Sequence, residues 1–121
     1  MPGAPRLVPE SWEPDVVALL VQVRRHVGQS DEDAFDAVRN AEVAAGGERY
    51  DRILMRGDRD SWNIRDHHMT DTIERVAQHH GLRSRGLVWQ HNTHVGDARG
   101  NDMARQGMVN VGQLLRERHG A

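Results

Sequence analysis

One short apolar segment constrains the fold of this chain more than any other feature. Residues 86–89, Gly-Leu-Val-Trp, have the length and composition of a β-strand, whereas the other apolar positions recur at helical spacing. A lone strand leaves backbone N–H and C=O groups unpaired on both sides, and these groups are costly to bury. The segment therefore predicts that neighbouring strands come from a second copy of the chain or from a larger domain.

The rest of the sequence predicts a mainly helical protein of about four or five helices. Residues 1–13 contain three prolines and predict an irregular lead-in, after which Pro14 suits the first turn of a helix. Helical spacing then continues to residue 27, over 31–55 and from about 61 to 80, where Asp60 or Ser61 can act as the N-cap. It returns over 111–119, where Asn110 can act as the N-cap and Gly120 can end the helix. Residues 34–56 can form one long helix or two, because Gly46 and Gly47 weaken the middle of this stretch.

Composition excludes several classes of function. The net charge of -2 and the dispersed arginines do not predict a nucleic acid or anionic membrane as partner. The absence of cysteine excludes disulfides, thiolate nucleophiles and cysteine zinc sites. Neither a signal peptide nor an apolar run of the ~20 residues that a membrane helix needs is present. We therefore expect a cytoplasmic protein with no membrane association.

The helix predicted over residues 61–80 carries two charged residues beside its apolar side. At about 100° per residue, the core-facing arc holds Trp62, Met69, Ile73, Val76 and Ala77. The opposite side, which we expect to face water, holds His67, Thr70, Asp71, Glu74 and Gln78. Arg65 and Asp66 flank the core arc, so they form either a structural ion pair, side chains that reach outward, or part of a polar site.

A second cluster follows the candidate strand. Trp89-Gln90-His91-Asn92-Thr93-His94 begins where the strand ends, which is the end at which ligands bind in open α/β sheets. His91 and His94 offer titratable groups and hydrogen bonds, and Asn92 lies between them. The spacing is short and common, so it is also typical of two histidines whose hydrogen bonds are satisfied within a loop. A metal site formed with Asp97 is a further alternative.

Taken together, two stretches resemble the erythromycin esterase family. Ser61-Trp62-Asn63-Ile64-Arg65-Asp66-His67-His68-Met69 is similar to the family's N-x-R-D-x-x-M helix start, and Val88 to Arg99 is similar to its W-x-H-N-x-H-x-G strand end. Residues 108–115 also resemble the helix that follows in the family. The resemblance covers most of residues 9–120 and implies that residues 14–121 are the C-terminal portion of a larger three-layer α/β hydrolase domain.

The resemblance implies a hydrolase that opens carboxylic esters without a metal or another cofactor, including macrolide lactones in members that confer antibiotic resistance. Carried over by residue, it implies that His91, His94 and Arg65 line the active-site cleft, with Asp66 and Asn92 as supports. The small-molecule substrate would be an ester or a lactone.

The chain departs from the family in one large respect. The family's Gly-Glu-x-x-His-Gly segment, which supplies the general base, has no counterpart in this sequence. We therefore expect a truncated enzyme with little activity alone, whose missing N-terminal half, or a second chain, completes the sheet. The alternatives are a non-enzymatic helical interaction domain and a histidine-based metal-binding module.

Overall fold

The computed structural model describes residues 12–26, 32–54 and 57–120, and the chain divides into two compact units, residues 1–49 and 50–121. Most of the predicted lead-in over residues 1–13 lies outside the described residues. Within the described residues, no helix is both long enough and apolar enough to cross a bilayer.

The first unit is built on two helices, α1 over Glu13–His26 and α2 over Glu32–Leu54, and α2 continues into the second unit. The stretch that allowed one helix or two is one helix, with Gly46 and Gly47 in its interior. Buried Glu42 accepts a hydrogen bond from Arg24 at 2.7 Å and contacts Arg39 at 2.6 Å. These two guanidinium groups offset the cost of burying the carboxylate.

The second unit begins with the end of α2 and continues with the long helix α3, Asp58–His80. The prediction that Asp60 or Ser61 caps α3 is wrong, because the helix begins at Asp58 and Gly57 precedes it without a side-chain cap. Its end is as predicted: Gly81 has a φ of 82° and its N–H donates to the carbonyls of Ala77 and Gln78.

Short helical turns connect α3 to the last helix. These are α4 over Asn92–Val95, a 3₁₀ turn over Ala98–Gly100 and α5 over Asp102–Arg105, and they are followed by α6 over Val111–His119. Asn110 is the N-cap of α6, and left-handed Gly120 ends it, both as predicted.

The strand predicted over residues 86–89 is absent. The backbone of residues 84–90 has no regular secondary structure, and none of the residues that the structure describes forms a strand. Leu87 and Trp89 are 87% and 89% exposed. A strand requires hydrogen bonds to a neighbour, and the described part of this single chain contains no second extended segment that could supply them.

The buried side of α3 also differs from the apolar arc that its periodicity predicts. Thr70, expected to face water, is fully buried, whereas Val76 is exposed. The reason is that α4 and the start of α6 pack on α3 around the buried carboxylate of Asp66, which contacts His94 Nδ1 and the Val111 N–H. Thr70 lies one turn further along the same side of α3, and its hydroxyl donates to the Asp66 backbone carbonyl. The prediction of a mainly helical protein is confirmed.

Candidate active site

Asp66 lies at the centre of a polar cluster in the second unit. Its side chain is fully buried. Both carboxylate oxygens lie 3.0 Å from Nδ1 of His94, and Oδ2 also accepts a hydrogen bond from the Val111 N–H at 3.1 Å. Val111 is the first residue of α6, so the anion also lies at the positive end of that helix dipole. These contacts compensate the burial of a charge that would otherwise be costly.

The contact with Asp66 defines the tautomer of His94. An ionised carboxylate can only accept hydrogen bonds, so Nδ1 of His94 carries the proton and donates it. In the neutral ring this leaves Nε2 as the nitrogen that can accept a proton. The imidazole also stacks on the indole of Trp62, with ring centroids 4.7 Å apart and an angle of 4° between the ring planes. His94 is therefore oriented by two different contacts.

Arg65 lies beside this pair without a close hydrogen bond to it. Its Nε is 3.8 Å from Asp66 Oδ1, which is beyond hydrogen-bond distance, and its guanidinium carbon lies 4.6 Å from the centroid of the Trp62 ring. Nε is buried and has no hydrogen-bond partner, while the side chain as a whole is 38% exposed. A partly exposed cation next to a histidine is suited to bind an anionic or polarised oxygen.

His91 and Asn92 lie outside this cluster. His91 is exposed and is the N-cap of α4: its Nδ1 accepts a hydrogen bond from the Thr93 N–H at 3.2 Å. Because Nδ1 accepts, the neutral ring of His91 carries its proton on Nε2, which makes it the opposite tautomer to His94. Asn92 is exposed and begins α4, and its carbonyl accepts from the Gly96 N–H at 2.9 Å.

Asn110 fixes the backbone that carries His94. Its Oδ1 accepts from the N–H groups of Gln113 and Ala98, at 2.9 and 3.3 Å, and its Nδ2 donates to the Thr93 carbonyl at 2.9 Å. This one buried amide therefore joins α4, the 3₁₀ turn and α6.

Gly112 allows α6 to approach α4 closely. A Cβ atom at this position would overlap the carbonyl oxygens of Val95 and Gly96. The backbone of α6 thus lies directly against the end of α4, which positions His94 over Asp66.

A second carboxylate in this unit, that of Asp97, is paired with Arg99. Arg99 donates from Nε and Nη2 to the Asp97 carboxylate at 2.9 and 2.6 Å. This side-chain hydrogen bonding lowers the pKa of Asp97 from 3.8 to about 2 and raises the pKa of Arg99. The three side chains of the metal hypothesis thus contact other groups: His91 contacts Thr93, His94 contacts Asp66, and Asp97 contacts Arg99. Among the described residues, no three His, Cys, Asp or Glu side chains converge as a metal site requires.

An open depression of about 480 Å³ lies near this region but not at the Asp66–His94 pair. Its lining is largely apolar and comprises Val88, Val95, Val111, Gly112, Leu115, Arg116 and His119. We place the candidate site at the pair, because convergent polar groups orient a reacting substrate and an apolar depression does not.

Sequence reasoning identified Arg65, Asp66 and His94, which the structure brings together, but it assigned Trp62 only to the core. Helical spacing held a usable signal: Trp62 precedes Arg65 by three residues and Asp66 by four, so all three lie on one side of α3. The contribution of Asn110 to the position of His94 had no such local signal, since the groups through which it acts, the Ala98 N–H and the Thr93 carbonyl, lie 12 and 17 residues earlier in the chain.

Comparison with known proteins agrees with this arrangement of motifs. A search of the solved structures gives no significant match. The family model described as "Erythromycin esterase" matches residues 3–121, which is nearly the whole sequence. The chain therefore belongs to the erythromycin esterase family.

Proposed function

We propose that this chain supplies one wall of the active site of a metal-independent carboxylic ester hydrolase. The observation that carries the proposal is the group formed by Asp66, His94 and Arg65, in which a buried carboxylate orients a histidine beside a partly exposed cation. Family membership supports the reaction class. Within this proposal, residues 14–121 are the C-terminal portion of a larger three-layer α/β domain.

The opposite tautomers of the two histidines support a division of roles. Nε2 of His94 can take up a proton and deliver it to the leaving alkoxide, because Asp66 holds the other ring nitrogen as a donor. Nε2 of His91 carries a proton and can donate a hydrogen bond to the substrate carbonyl, because its Nδ1 accepts from the Thr93 N–H. Asn92 supports the turn between them.

Arg65 supplies the positive charge of the proposed site. Its guanidinium is not neutralised by a close hydrogen bond to Asp66, since Nε lies 3.8 Å from the carboxylate. It can therefore stabilise the oxyanion that develops when water attacks an ester, or orient a carboxylate of the complete enzyme.

The general base belongs, in this proposal, to a segment outside the chain. The sequence has no Gly-Glu-x-x-His-Gly stretch, and a missing general base typically costs on the order of 10²–10⁴-fold in rate. The substrate is a small-molecule ester, and macrolide lactones, the substrates of resistance enzymes, are the first specific class to test.

The proposal is tested by measuring hydrolysis of p-nitrophenyl butyrate and of a macrolide lactone. The purified chain is assayed alone and after mixing with a separately expressed N-terminal half that carries Gly-Glu-x-x-His-Gly. We expect no hydrolysis by the chain alone, hydrolysis by the mixture, and a loss of at least about tenfold when His94→Gln is used in the mixture.

His67→Gln is the matched control, because His67 is an exposed histidine on α3 and lies outside the polar cluster. It should leave turnover unchanged. Full activity of the His94→Gln mixture would contradict the role of His94, and hydrolysis by the chain alone would contradict the need for an external base.

A non-enzymatic interaction domain is the second candidate. It is favoured by the exposed apolar side chains of residues 82–89, of which Leu82, Leu87 and Trp89 are the most exposed. If this second candidate is correct, we expect the chain to be stably folded, to hydrolyse no ester, and to gain no activity when an N-terminal half is added.

A further inference from the structure

Trp62 contacts two of the proposed site residues at once. Its ring stacks on the imidazole of His94 with a centroid separation of 4.7 Å and an interplanar angle of 4°. The guanidinium carbon of Arg65 lies 4.6 Å from the centroid of the same ring. Arg65 lies on α3 and His94 lies on α4, so both side chains pack on the same indole although they come from different elements.

The stack supplies a restraint that the carboxylate does not. The contact of His94 Nδ1 with Asp66 restrains one ring nitrogen, but a hydrogen bond tolerates some tilting of the imidazole about its side-chain torsions. A parallel aromatic neighbour narrows this range, because the ring plane then follows the plane of the indole. The direction of Nε2, on which proton transfer depends, is therefore set by both contacts together.

The indole is itself held in place. Its Nε1–H donates to the Val109 carbonyl at 2.8 Å. Neighbouring Asn63 holds the same loop, since its Nδ2 donates to the Gly107 carbonyl and its Oδ1 accepts from the Val109 N–H, both at 2.9 Å. Trp62 is thus anchored to the segment that leads into α6.

The same ring keeps the Arg65 charge near the pair without a hydrogen bond from Nε. That nitrogen is buried and has no hydrogen-bond partner, so the attraction between the cation and the ring stands in its place. The guanidinium is thereby held beside Asp66 at 3.8 Å without closing onto it.

We infer that Trp62 is a positioning residue of the proposed hydrolase, which sets the ring plane of His94 and the place of the Arg65 cation. The inference rests on the proposed function for its effect on turnover. The positioning itself can be measured on the chain without any substrate.

The first test uses NMR spectra of the full chain. Stacking under an indole shifts the carbon-bound ring protons of His94 upfield, and this shift should disappear in Trp62→Leu. Trp62→Phe keeps an aromatic ring but removes the N–H donor, so it should retain part of the shift. His67→Gln is the matched control, because His67 is an exposed residue of the same helix that lies outside the polar cluster, and it should retain the full shift.

The second test measures turnover in the mixture with the N-terminal half. Trp62→Leu should lower kcat by about ten- to a hundredfold, the range expected for misplacement of a reacting group, with KM changed less than twofold. Trp62→Phe should recover most of kcat, and His67→Gln should match the wild type. This pattern separates positioning from a general loss of folding.

Several outcomes would overturn the inference: an unchanged His94 shift in Trp62→Leu, wild-type kcat in that variant, or a Trp62→Phe variant as impaired as Trp62→Leu. If Trp62→Leu does not fold, Trp62→Phe decides, and loss of both its His94 shift and its turnover contradicts the role. Failure of the proposed function is recognised separately, because His94→Gln would then hydrolyse esters as well as the wild type.

Discussion

Asp66 performs two tasks with one carboxylate. It orients Nδ1 of His94 and accepts from the first N–H of α6, and both partners lie within 3.1 Å. Its backbone carbonyl also accepts from Thr70 Oγ1 at 2.8 Å. A buried group with this many partners stabilises the fold through each of them, so its removal leaves several polar groups unsatisfied.

Asp66→Ala is expected to lower the free energy of unfolding by about 1.5–3 kcal/mol for each hydrogen bond that the carboxylate accepts, the usual contribution of a hydrogen bond to a charged group. Urea denaturation measures the change. The control is Asp71→Ala on the same helix, because Asp71 is 44% exposed and its partner Arg118 also contacts Glu74. Its loss should cost about 0.2–1 kcal/mol. Equal destabilisation by the two variants would contradict the central place of Asp66.

The Asp97–Arg99 pair predicts a specific titration. Since hydrogen bonding to Arg99 lowers the pKa of Asp97 from 3.8 to about 2, the pair stabilises the fold above pH 3.8 and loses this contribution as the pH falls toward 2. In Arg99→Ala the pKa of Asp97 should return toward 3.8, as followed by carboxyl ¹³C shifts. Arg105→Ala is the control, because Arg105 pairs with exposed Asp102 instead. A low Asp97 pKa that survives in Arg99→Ala would assign the effect to another cause.

At this scale the sequence predicts which residue types gather but not every contact they make. Arg65, Asp66 and His94 follow from motifs and from helical spacing. Thr70 was expected to face water, because a helical wheel assigns the buried side by hydrophobicity alone. Here the buried side is defined by hydrogen bonds to residues about 28 to 45 positions later, and such distant partners leave no local pattern.

Among the elements, the start of α6 has the most demanding packing. Asn110 caps it, Asp66 accepts from its first N–H, and Gly112 lies directly against the end of α4. Arg116, one turn further along, reaches the carbonyls of Val95 and Gly96 at 3.4 Å. The position of His94 over Asp66 therefore depends on this close approach of two elements.

Gly112→Ala is expected to destabilise the second unit by about 1–3 kcal/mol, the typical cost of forcing an extra carbon into a packed region. It should also weaken the contact between His94 and Asp66. Gly100→Ala is the matched control, because a Cβ atom at Gly100 meets nothing within 4 Å. Thermal unfolding of both variants gives the comparison, and a Gly112→Ala variant as stable as Gly100→Ala would exclude the close approach.

The long elements of the fold could be predicted from periodicity and from caps. Asn110 and Gly120 mark the limits of α6 through local interactions. The side-chain oxygen of Asn110 accepts a hydrogen bond within the first turn, and the left-handed backbone of Gly120 ends the last turn. The strand could not be predicted correctly in the same way. Residues 86–89 have strand composition, but a strand exists only when a neighbour pairs with it, and the sequence of the segment does not contain that neighbour.

At the scale of the whole molecule, the apolar side chains of segment 82–89 are notable because the folded chain leaves them exposed to water. Leu82 is fully exposed, and Leu87 and Trp89 are nearly so. If the proposed larger domain supplies adjacent strands, these residues become the natural place for them to join, because strand composition and exposure coincide here.

Trp89 makes this assembly measurable. At 89% exposure its fluorescence should have the long emission wavelength of an indole in water, and it should shift to shorter wavelength when the N-terminal half binds. Subtracting the emission spectrum of the Trp89→Phe variant from that of the wild type removes the contributions of Trp12 and Trp62 and leaves the emission of Trp89. If the emission of Trp89 does not change while esterase activity appears, the sheet is not completed at this segment.

The double duty of Asp66 also bears on how lineages of this protein would decay. If the proposed hydrolysis were lost in a descendant that still needed its fold, Asp66 would be kept, because the last helix depends on it. Arg65 offers no such protection, since its Nε takes no part in hydrogen bonding. If the proposed function is correct, substitutions that follow a loss of catalysis would appear first at Arg65 and last at Asp66. Persistence of the aspartate in a relative would then indicate a folded chain, whereas persistence of the arginine would indicate an active one.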